Sequence, residues 1–150
     1  MGFSLLGLAV SLAIFLPNLL LIPFPPRPKL ESPAVPRVLL VFERAGQALC
    51  MTVPAITAAG PIAWGWAVPV PVALAVLAYG ALWIRYLRRG RPASALFDTV
   101  FGIPVPMALA PVAAFLGTAA WLQNPWIALA AVVLAVGHIP TSLLAARLAR

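Results

Sequence analysis

The chain has 150 residues, of which 63% are hydrophobic and only 9% are charged, and its formal net charge is +7 at pH 7. A soluble domain carries about 45–50% apolar and about 25% charged residues, so this composition excludes a water-soluble globule. The basic residues lie in short loops between apolar runs, which indicates contact with lipid head groups and no nucleic acid partner. The single cysteine, Cys50, excludes an intrachain disulfide, and we expect it to be a buried apolar side chain.

Five apolar segments follow one another along the chain, and each is long enough to cross a hydrocarbon core of roughly 30 Å as a helix. They are residues 2–22, 38–62, 69–86, 102–122 and 126–146. The first lacks the basic start and the small-residue cleavage site of a signal peptide, so we expect a retained span. The sequence therefore predicts an all-α fold, in which residues 1–150 form a single domain, a polytopic membrane helical bundle with five transmembrane helices.

Prolines and tryptophans mark the connections between these segments. Residues 23–36 contain six prolines, which forbid a helix and predict a stiff connector along the membrane surface. Pro54 lies inside the second segment and predicts a bend, because its ring displaces the carbonyl of Cys50 four residues earlier. Trp64 and Trp66 follow the same segment and are typical of an interface belt.

The distribution of positive charge predicts the orientation of the bundle. The second and fourth loops carry no Lys or Arg, whereas the first loop, the third loop and the C-terminus are basic. Because Lys and Arg are retained on the cytoplasmic side, we expect the N-terminus outside and the C-terminus in the cytoplasm, in a bacterial inner or plasma membrane. The residues that carry this inference are Arg27, Lys29, Arg37, Arg88, Arg89, Arg91, Arg147 and Arg150.

Residues 42–47, Phe-Glu-Arg-Ala-Gly-Gln, place a carboxylate, a guanidinium and an amide near the start of the second segment. Glu43 and Gln47 are four positions apart, so they share one face of a helix. An ionisable group at membrane depth costs roughly 2.5–3.5 kcal/mol on insertion scales. We therefore expect Glu43 to have a partner, a role, or both.

Polar side chains from other segments lie at a similar depth. Counted along each helix at about 1.5 Å per residue, Asn18, Glu43, Gln47 and His138 lie roughly 7–17 Å from the cytoplasmic boundary. Chance would scatter such groups over both leaflets, so their common depth predicts one polar pocket that opens to the cytoplasm. Asn18 either faces other helices or caps backbone groups that Pro17 loosens. Further side chains predicted at this pocket are Tyr79 and Arg85, Asp98 at its rim, and the apolar or aromatic Phe42, Trp83, Phe101 and Met107.

Two interpretations of Glu43 stay open. In the first it forms a structural ion pair, for which Arg85 is a better partner than the adjacent Arg44, which points about 100° away on the helix. In the second it gives or takes a proton, with His138 as counterpart, because imidazole titrates near neutral pH. A lone histidine is too little for a metal site, and we expect no cofactor. Asp98 is either the acid of an N-terminal helical turn or a second catalytic acid.

Four segments resemble those of small, uncharacterised bacterial multi-spanning proteins: residues 42–47, 83–86, 102–107 and 137–139. That resemblance implies no activity. In general character the chain is also similar to integral-membrane terpene cyclases, which are small helical bundles that use Glu and Asp as acids. This second resemblance implies an isomerase or cyclase that acts on an isoprenoid.

The sequence favours an intramembrane enzyme for a hydrophobic, lipid-like or isoprenoid substrate. In that hypothesis Glu43 is the acid or base, His138 assists, and Asn18 and Gln47 orient the substrate in a concave, largely apolar pocket. The alternatives are a binding or transport protein for small molecules or lipids, and a structural accessory subunit in which the polar residues join helices. The lipid bilayer is the expected partner in every case, and a homo-oligomer stays open.

Overall fold

Five α-helices make up most of the computed structural model, which describes residues 2–28, 34–61 and 67–149. They are α1 (Leu5–Phe15), α2 (Arg37–Ile56), α3 (Pro69–Arg88), α4 (Pro106–Trp121) and α5 (Pro125–Leu148). A 3₁₀ turn at Leu16–Leu21 extends α1, and another at Ala93–Leu96 lies between α3 and α4. The predicted all-α fold is confirmed for these residues.

Three of the helices, α2, α3 and α5, are long and apolar enough to cross a membrane. The other two apolar segments are shorter, because α1 with its 3₁₀ extension spans 5–21 and α4 has 16 residues. At about 1.5 Å per residue, a 16-residue helix is roughly 24 Å long, less than the roughly 30 Å of a hydrocarbon core. The membrane character of the chain rests on the three longer helices.

Several helices differ in length from the predicted segments. The second ends at Ile56, not at residue 62, because Thr57 is extended; Trp64 and Trp66 lie outside the described residues. The fourth begins at Pro106, not at residue 102, because residues 100–103 form a tight turn closed by hydrogen bonds between Val100 and Ile103. The second and fourth helices are thus shorter than the predicted segments, whereas α3 and α5 extend two residues further, to Arg88 and Leu148.

The helices run up and down, so that the loops gather at two ends. At one end the Gly2 amide donates to the Ile56 carbonyl at 3.2 Å, and the Gly60 amide donates to Leu122 at 2.8 Å. The buried Asn124 joins the same end, because its amide group donates to Thr57 Oγ1 at 2.6 Å and its Oδ1 accepts from the Trp126 amide. We call this end of the bundle the opposite end. The other end of the bundle, described next, is the basic end.

The basic end contains the start of α2, the first loop, the α3–α4 loop and the end of α5. Here the Arg27 amide donates to the Arg91 carbonyl at 2.8 Å, and the Tyr86 hydroxyl donates to the Phe24 carbonyl at 2.7 Å. The Arg91 guanidinium lies 5.8 Å from the centre of the Phe24 ring, within the range of a cation–π contact. These contacts anchor the proline-rich connector to the end of α3.

The most extensive contact between helices is that of α2 with α5, and glycine makes this close approach possible. A Cβ atom at Gly46 would overlap the backbone of Leu134, and one at Gly137 would overlap the backbone of Glu43. Small residues at such crossings let two membrane helices approach until their backbones touch. Gly137, the residue before His138, therefore determines how closely the backbone of Glu43 approaches α5.

Helix α1 packs on α2 through a hydrogen bond to a carbonyl group that Pro54 leaves without a helical donor. Pro54 has no N–H, so the Cys50 carbonyl one turn earlier has no helical donor. Ser11 of α1 replaces that donor, since its Oγ donates to the Cys50 carbonyl at 2.9 Å. Cys50 is fully buried, as predicted.

Candidate active site in the basic half of the bundle

Glu43 of α2 and His138 of α5 form a hydrogen-bonded pair. Glu43 Oε1 and His138 Nδ1 lie 2.7 Å apart, and 16% and 25% of the two side chains are exposed. This distance is that of a short, direct hydrogen bond between the carboxyl group and the imidazole ring. Of the two interpretations of Glu43, the structure places it against His138 and not against Arg85.

A cavity of about 330 Å³, which we call the outer chamber, lies beside this pair. Four of the helices, α2 to α5, contribute to its wall, together with the 3₁₀ turn that extends α1 and the segment around the 3₁₀ turn before α4. Of the predicted residues, the structure brings Asn18, Glu43, Tyr79, Trp83, Met107 and His138 to this wall. The remaining lining side chains are Leu21, Leu96, Phe97, Ala108, Thr141, Ser142 and Ala145.

A second cavity of about 300 Å³, the inner chamber, lies deeper in the bundle and shares Asn18, Leu21, Tyr79 and His138 with the outer chamber. On α2 the lining residue changes from Glu43 to Gln47, one helical turn further from the basic end. Every helix follows this pattern, so the two chambers are stacked along the bundle axis. The residues found only in the inner chamber are Ile14, Phe15, Gln47, Pro111 and Leu134.

A polar layer lies at the level where the two chambers meet. The Tyr79 hydroxyl donates to Asn18 Oδ1 at 3.0 Å, and Asn18 Nδ2 donates to the Ile14 carbonyl at 2.9 Å. Asn18 therefore does both things that the sequence left open, since it contacts another helix and also binds a carbonyl of its own segment. Together with His138, this pair places hydrogen-bonding groups at the level where the chambers meet.

Aromatic rings form one side of the outer chamber. Tyr79 and Trp83 pack edge to face with ring centres 6.2 Å apart, and Trp83 and Tyr86 do so at 5.7 Å. The indole N–H of Trp83 is buried and makes no hydrogen bond to any residue that the structure describes. Tyr79 and Trp83 are each only 3% exposed, so their rings are largely covered by neighbouring side chains.

Arg85 and Asp98 pair with each other outside the chambers. Arg85 Nη2 lies 2.9 Å from Asp98 Oδ2, and Arg89 approaches the same oxygen at 3.8 Å. Arg85 also donates to the Ala95 carbonyl at 3.3 Å. Asp98 comes after the 3₁₀ turn and not before it, so the predicted N-terminal helical turn at this residue is wrong. The ion pair holds the Ala93–Leu96 turn against α3.

Two predicted wall residues lie elsewhere. Phe42 is 39% exposed on the outer face of α2, because it is one position from Glu43 and points about 100° away. Phe101 is 99% exposed at the tip of the turn before α4, with a positive φ of 51°. Neither lines a chamber.

Sequence reasoning missed the wall residues contributed by the α3–α4 loop and the end of α5. Leu96 and Phe97 cover the outer chamber because the Arg85 ion pair folds their loop back over it. Thr141 and Ser142 lie one turn beyond His138, and the Thr141 hydroxyl donates to the Gly137 carbonyl at 2.8 Å. The sequence signal that could have found them is their position three and four residues after His138, which places them on the same face of the helix.

No protein-family model, curated protein or solved structure matches the chain, so the site is interpreted from its own geometry. Among residues 2–28, 34–61 and 67–149, no cluster of three or more His, Cys, Asp or Glu side chains could hold a metal ion. The groups available for chemistry in the chambers are a carboxyl–imidazole pair, hydroxyls, amides and aromatic faces.

Proposed function

We propose that the protein is an intramembrane enzyme that rearranges a hydrophobic substrate by acid–base catalysis, as an isomerase or a cyclase. The observation that supports this most directly is the 2.7 Å contact between Glu43 and His138 on the wall of the outer chamber. A proton donor beside a largely apolar cavity is the arrangement required for proton transfer to a lipid-like molecule.

The hydrogen bond assigns different roles to the two side chains. Glu43 occupies Nδ1 of His138, so Nε2 is the ring nitrogen left for the substrate. In the proposed resting state the pair holds two protons, so that its net charge is zero. In that state Nε2–H is the catalytic acid, and Glu43 is a positioning residue that also stabilises the imidazolium.

Donation of the Nε2 proton creates a positive charge on the substrate and leaves a net negative charge on the pair. The side chains of Tyr79 and Trp83 line the same chamber, and aromatic rings attract a cation. Return of a proton from a neighbouring carbon to Nε2 completes a rearrangement with no net gain or loss of protons. The chemistry therefore needs no metal, cofactor or second substrate.

The proposal includes a membrane topology. In this topology α2, α3 and α5 span the membrane, and the shorter α1 and α4 cross it with them. The basic end lies in the cytoplasm, because Lys and Arg are retained there. This arrangement corresponds to five spans with the N-terminus outside. In that orientation both chambers lie in the cytoplasmic half of a cell membrane, and the surrounding bilayer supplies the substrate.

A proton-exchange experiment tests the proposal. The purified protein in nanodiscs is incubated in D₂O with neutral isoprenoid alcohols and olefins, and mass spectrometry detects deuterium incorporated at carbon. We expect incorporation that His138→Asn abolishes and that Glu43→Gln lowers at least tenfold. Arg44→Gln is the matched control, since Arg44 is exposed on the neighbouring position of α2 and lines neither chamber.

The same experiment separates catalysis from a structural role. If His138→Asn and Glu43→Gln incorporate deuterium as fast as the wild-type protein, the acid–base proposal is wrong. If the variants unfold, the single histidine provides a second measurement, because a ¹⁵N-histidine label reports on His138 alone. In the folded wild-type protein we expect its Nδ1 signal to carry a strong hydrogen bond.

A further inference from the structure

The two stacked chambers limit the size and the charge of the molecule that they accept. We infer that the ligand is a compact, electrically neutral amphiphile with one hydroxyl or carbonyl group, and not a phospholipid, a prenyl diphosphate or an organic cation. This inference rests on the proposed function for the choice of site. It adds the substrate class, and three independent observations carry it.

The first observation is the volume of the chambers. They measure about 330 and 300 Å³ and share four lining residues. At roughly 30 Å³ for each non-hydrogen atom, which is the share of a water molecule in the liquid, they hold on the order of twenty such atoms together. A monoterpenoid or sesquiterpenoid skeleton fits this space, whereas a two-chain phospholipid is far too large.

The second observation is the absence of an unpaired charge. No arginine among the described residues lines either chamber, and Arg85 is already paired with Asp98 at 2.9 Å. The acidic and basic side chains of the chambers are Glu43 and His138, which pair with each other at 2.7 Å. Before any proton transfer the proposed pair has no net charge, so a diphosphate, carboxylate or ammonium head group would enter a low-dielectric cavity without a counter-ion, which is strongly unfavourable.

The third observation is a set of neutral hydrogen-bonding groups at the level where the chambers meet. Gln47 lines the inner chamber, and its amide makes no hydrogen bond to a described residue. The Tyr79 hydroxyl donates to Asn18 Oδ1, and both side chains line both chambers. A hydroxyl group, which both donates and accepts, satisfies such groups without introducing charge.

These observations also orient the ligand. Beyond the polar layer the inner chamber ends at Ile14, Phe15, Pro111 and Leu134, about one helical turn or 6 Å further into the bundle. A compact apolar group fits there, with the hydroxyl or carbonyl beside Gln47 and Tyr79. The remainder of the molecule lies in the outer chamber against Trp83 and Met107.

Three probes with one carbon skeleton test the inference. Geraniol, geranic acid and geranylamine differ only in the charge of the head group at neutral pH. Each is titrated into ¹⁵N-histidine-labelled protein in phosphatidylcholine nanodiscs, and the His138 signal reports binding because His138 lines both chambers. We expect geraniol to bind at least tenfold more tightly than either charged analogue.

A substitution in the inner chamber tests whether the hydroxyl group of geraniol binds beside Gln47. Gln47→Leu keeps most of the side-chain volume and removes the amide, so we expect it to weaken geraniol binding about three- to tenfold and to leave the weak binding of the charged probes unchanged. Equal or tighter binding of geranic acid or geranylamine overturns the inference, and so does a failure of all three probes to shift the His138 signal.

The outcome is independent of the catalytic proposal. If geraniol binds selectively but no substrate exchanges deuterium, the neutral ligand class stands and the acid–base function is lost. If deuterium exchange occurs but charged analogues bind best, the function stands and the ligand class is wrong.

Discussion

Replacement of Gly137 by alanine is expected to push α2 and α5 apart at the catalytic pair. The added Cβ would lie 2.6 Å from the Glu43 Cα and 2.7 Å from the Leu39 carbonyl oxygen, and nearer still to the Glu43 nitrogen. Ordinary contacts are roughly 3.5–4.0 Å, so the helices must separate by about 1 Å. Overpacking of this kind costs about 1–3 kcal/mol, against a gain of roughly 0.5–1 kcal/mol for alanine over glycine in a helix.

The net expectation is a loss of about 1–2 kcal/mol in the free energy of unfolding. A separation of about 1 Å would also stretch the Glu43–His138 contact from 2.7 Å beyond hydrogen-bonding distance. Unfolding in mixed micelles with increasing SDS measures the first effect, and the Nδ1 signal of ¹⁵N-labelled His138 measures the second.

Gly80→Ala is the matched control for this experiment. Gly80 lies inside α3, and a Cβ at this position would have no atom within 4 Å. Alanine there is expected to stabilise the protein by about 0.5–1 kcal/mol and to leave the His138 signal unchanged. If Gly137→Ala behaves like Gly80→Ala, the helices do not touch at Gly137 and the geometry of the catalytic pair has to be rejected.

Three further substitutions test other parts of the structure by the same unfolding measurement. Ser11→Ala leaves the carbonyl of Cys50 without a donor and should cost about 1–3 kcal/mol; an unchanged stability would mean that this carbonyl finds water. Asn124→Ala removes a helix cap and two further hydrogen bonds at a buried position, and should also cost about 1–3 kcal/mol. Asp98→Asn breaks a partly exposed ion pair with Arg85, so we expect a loss below about 1 kcal/mol that shrinks as salt is added. A large, salt-independent loss would contradict this assignment.

The depth of the polar residues could be predicted from sequence because a helix advances by a constant rise per residue. Glu43, Gln47, Asn18 and His138 were expected at one level, and the structure places them around two adjoining chambers. Their partners could not be chosen in the same way. Helix α5 is apolar on nearly all sides, so the pattern around His138 did not show which face meets α2.

The loop before α4 was the least predictable part of the site. Hydropathy assigned residues 102–105 to a span, but positive φ angles at Phe101 and Val105 end any helix there. The partner of Arg85 depended on how this loop folds, because Asp98 lies thirteen positions away and not on a shared helix face. Leu96 and Phe97 reach the outer chamber as a consequence of that ion pair.

By itself the sequence determined a membrane-embedded helical protein whose ionisable side chains gather near its basic end. That result follows from composition and from the rise of a helix, which are properties of each segment taken alone. The tertiary structure decided that the carboxylate of Glu43 meets the imidazole of His138 and that Arg85 is occupied elsewhere. Such choices depend on the rotation of one helix against another, and here glycine contacts and a folded loop set that rotation, which no single segment encodes.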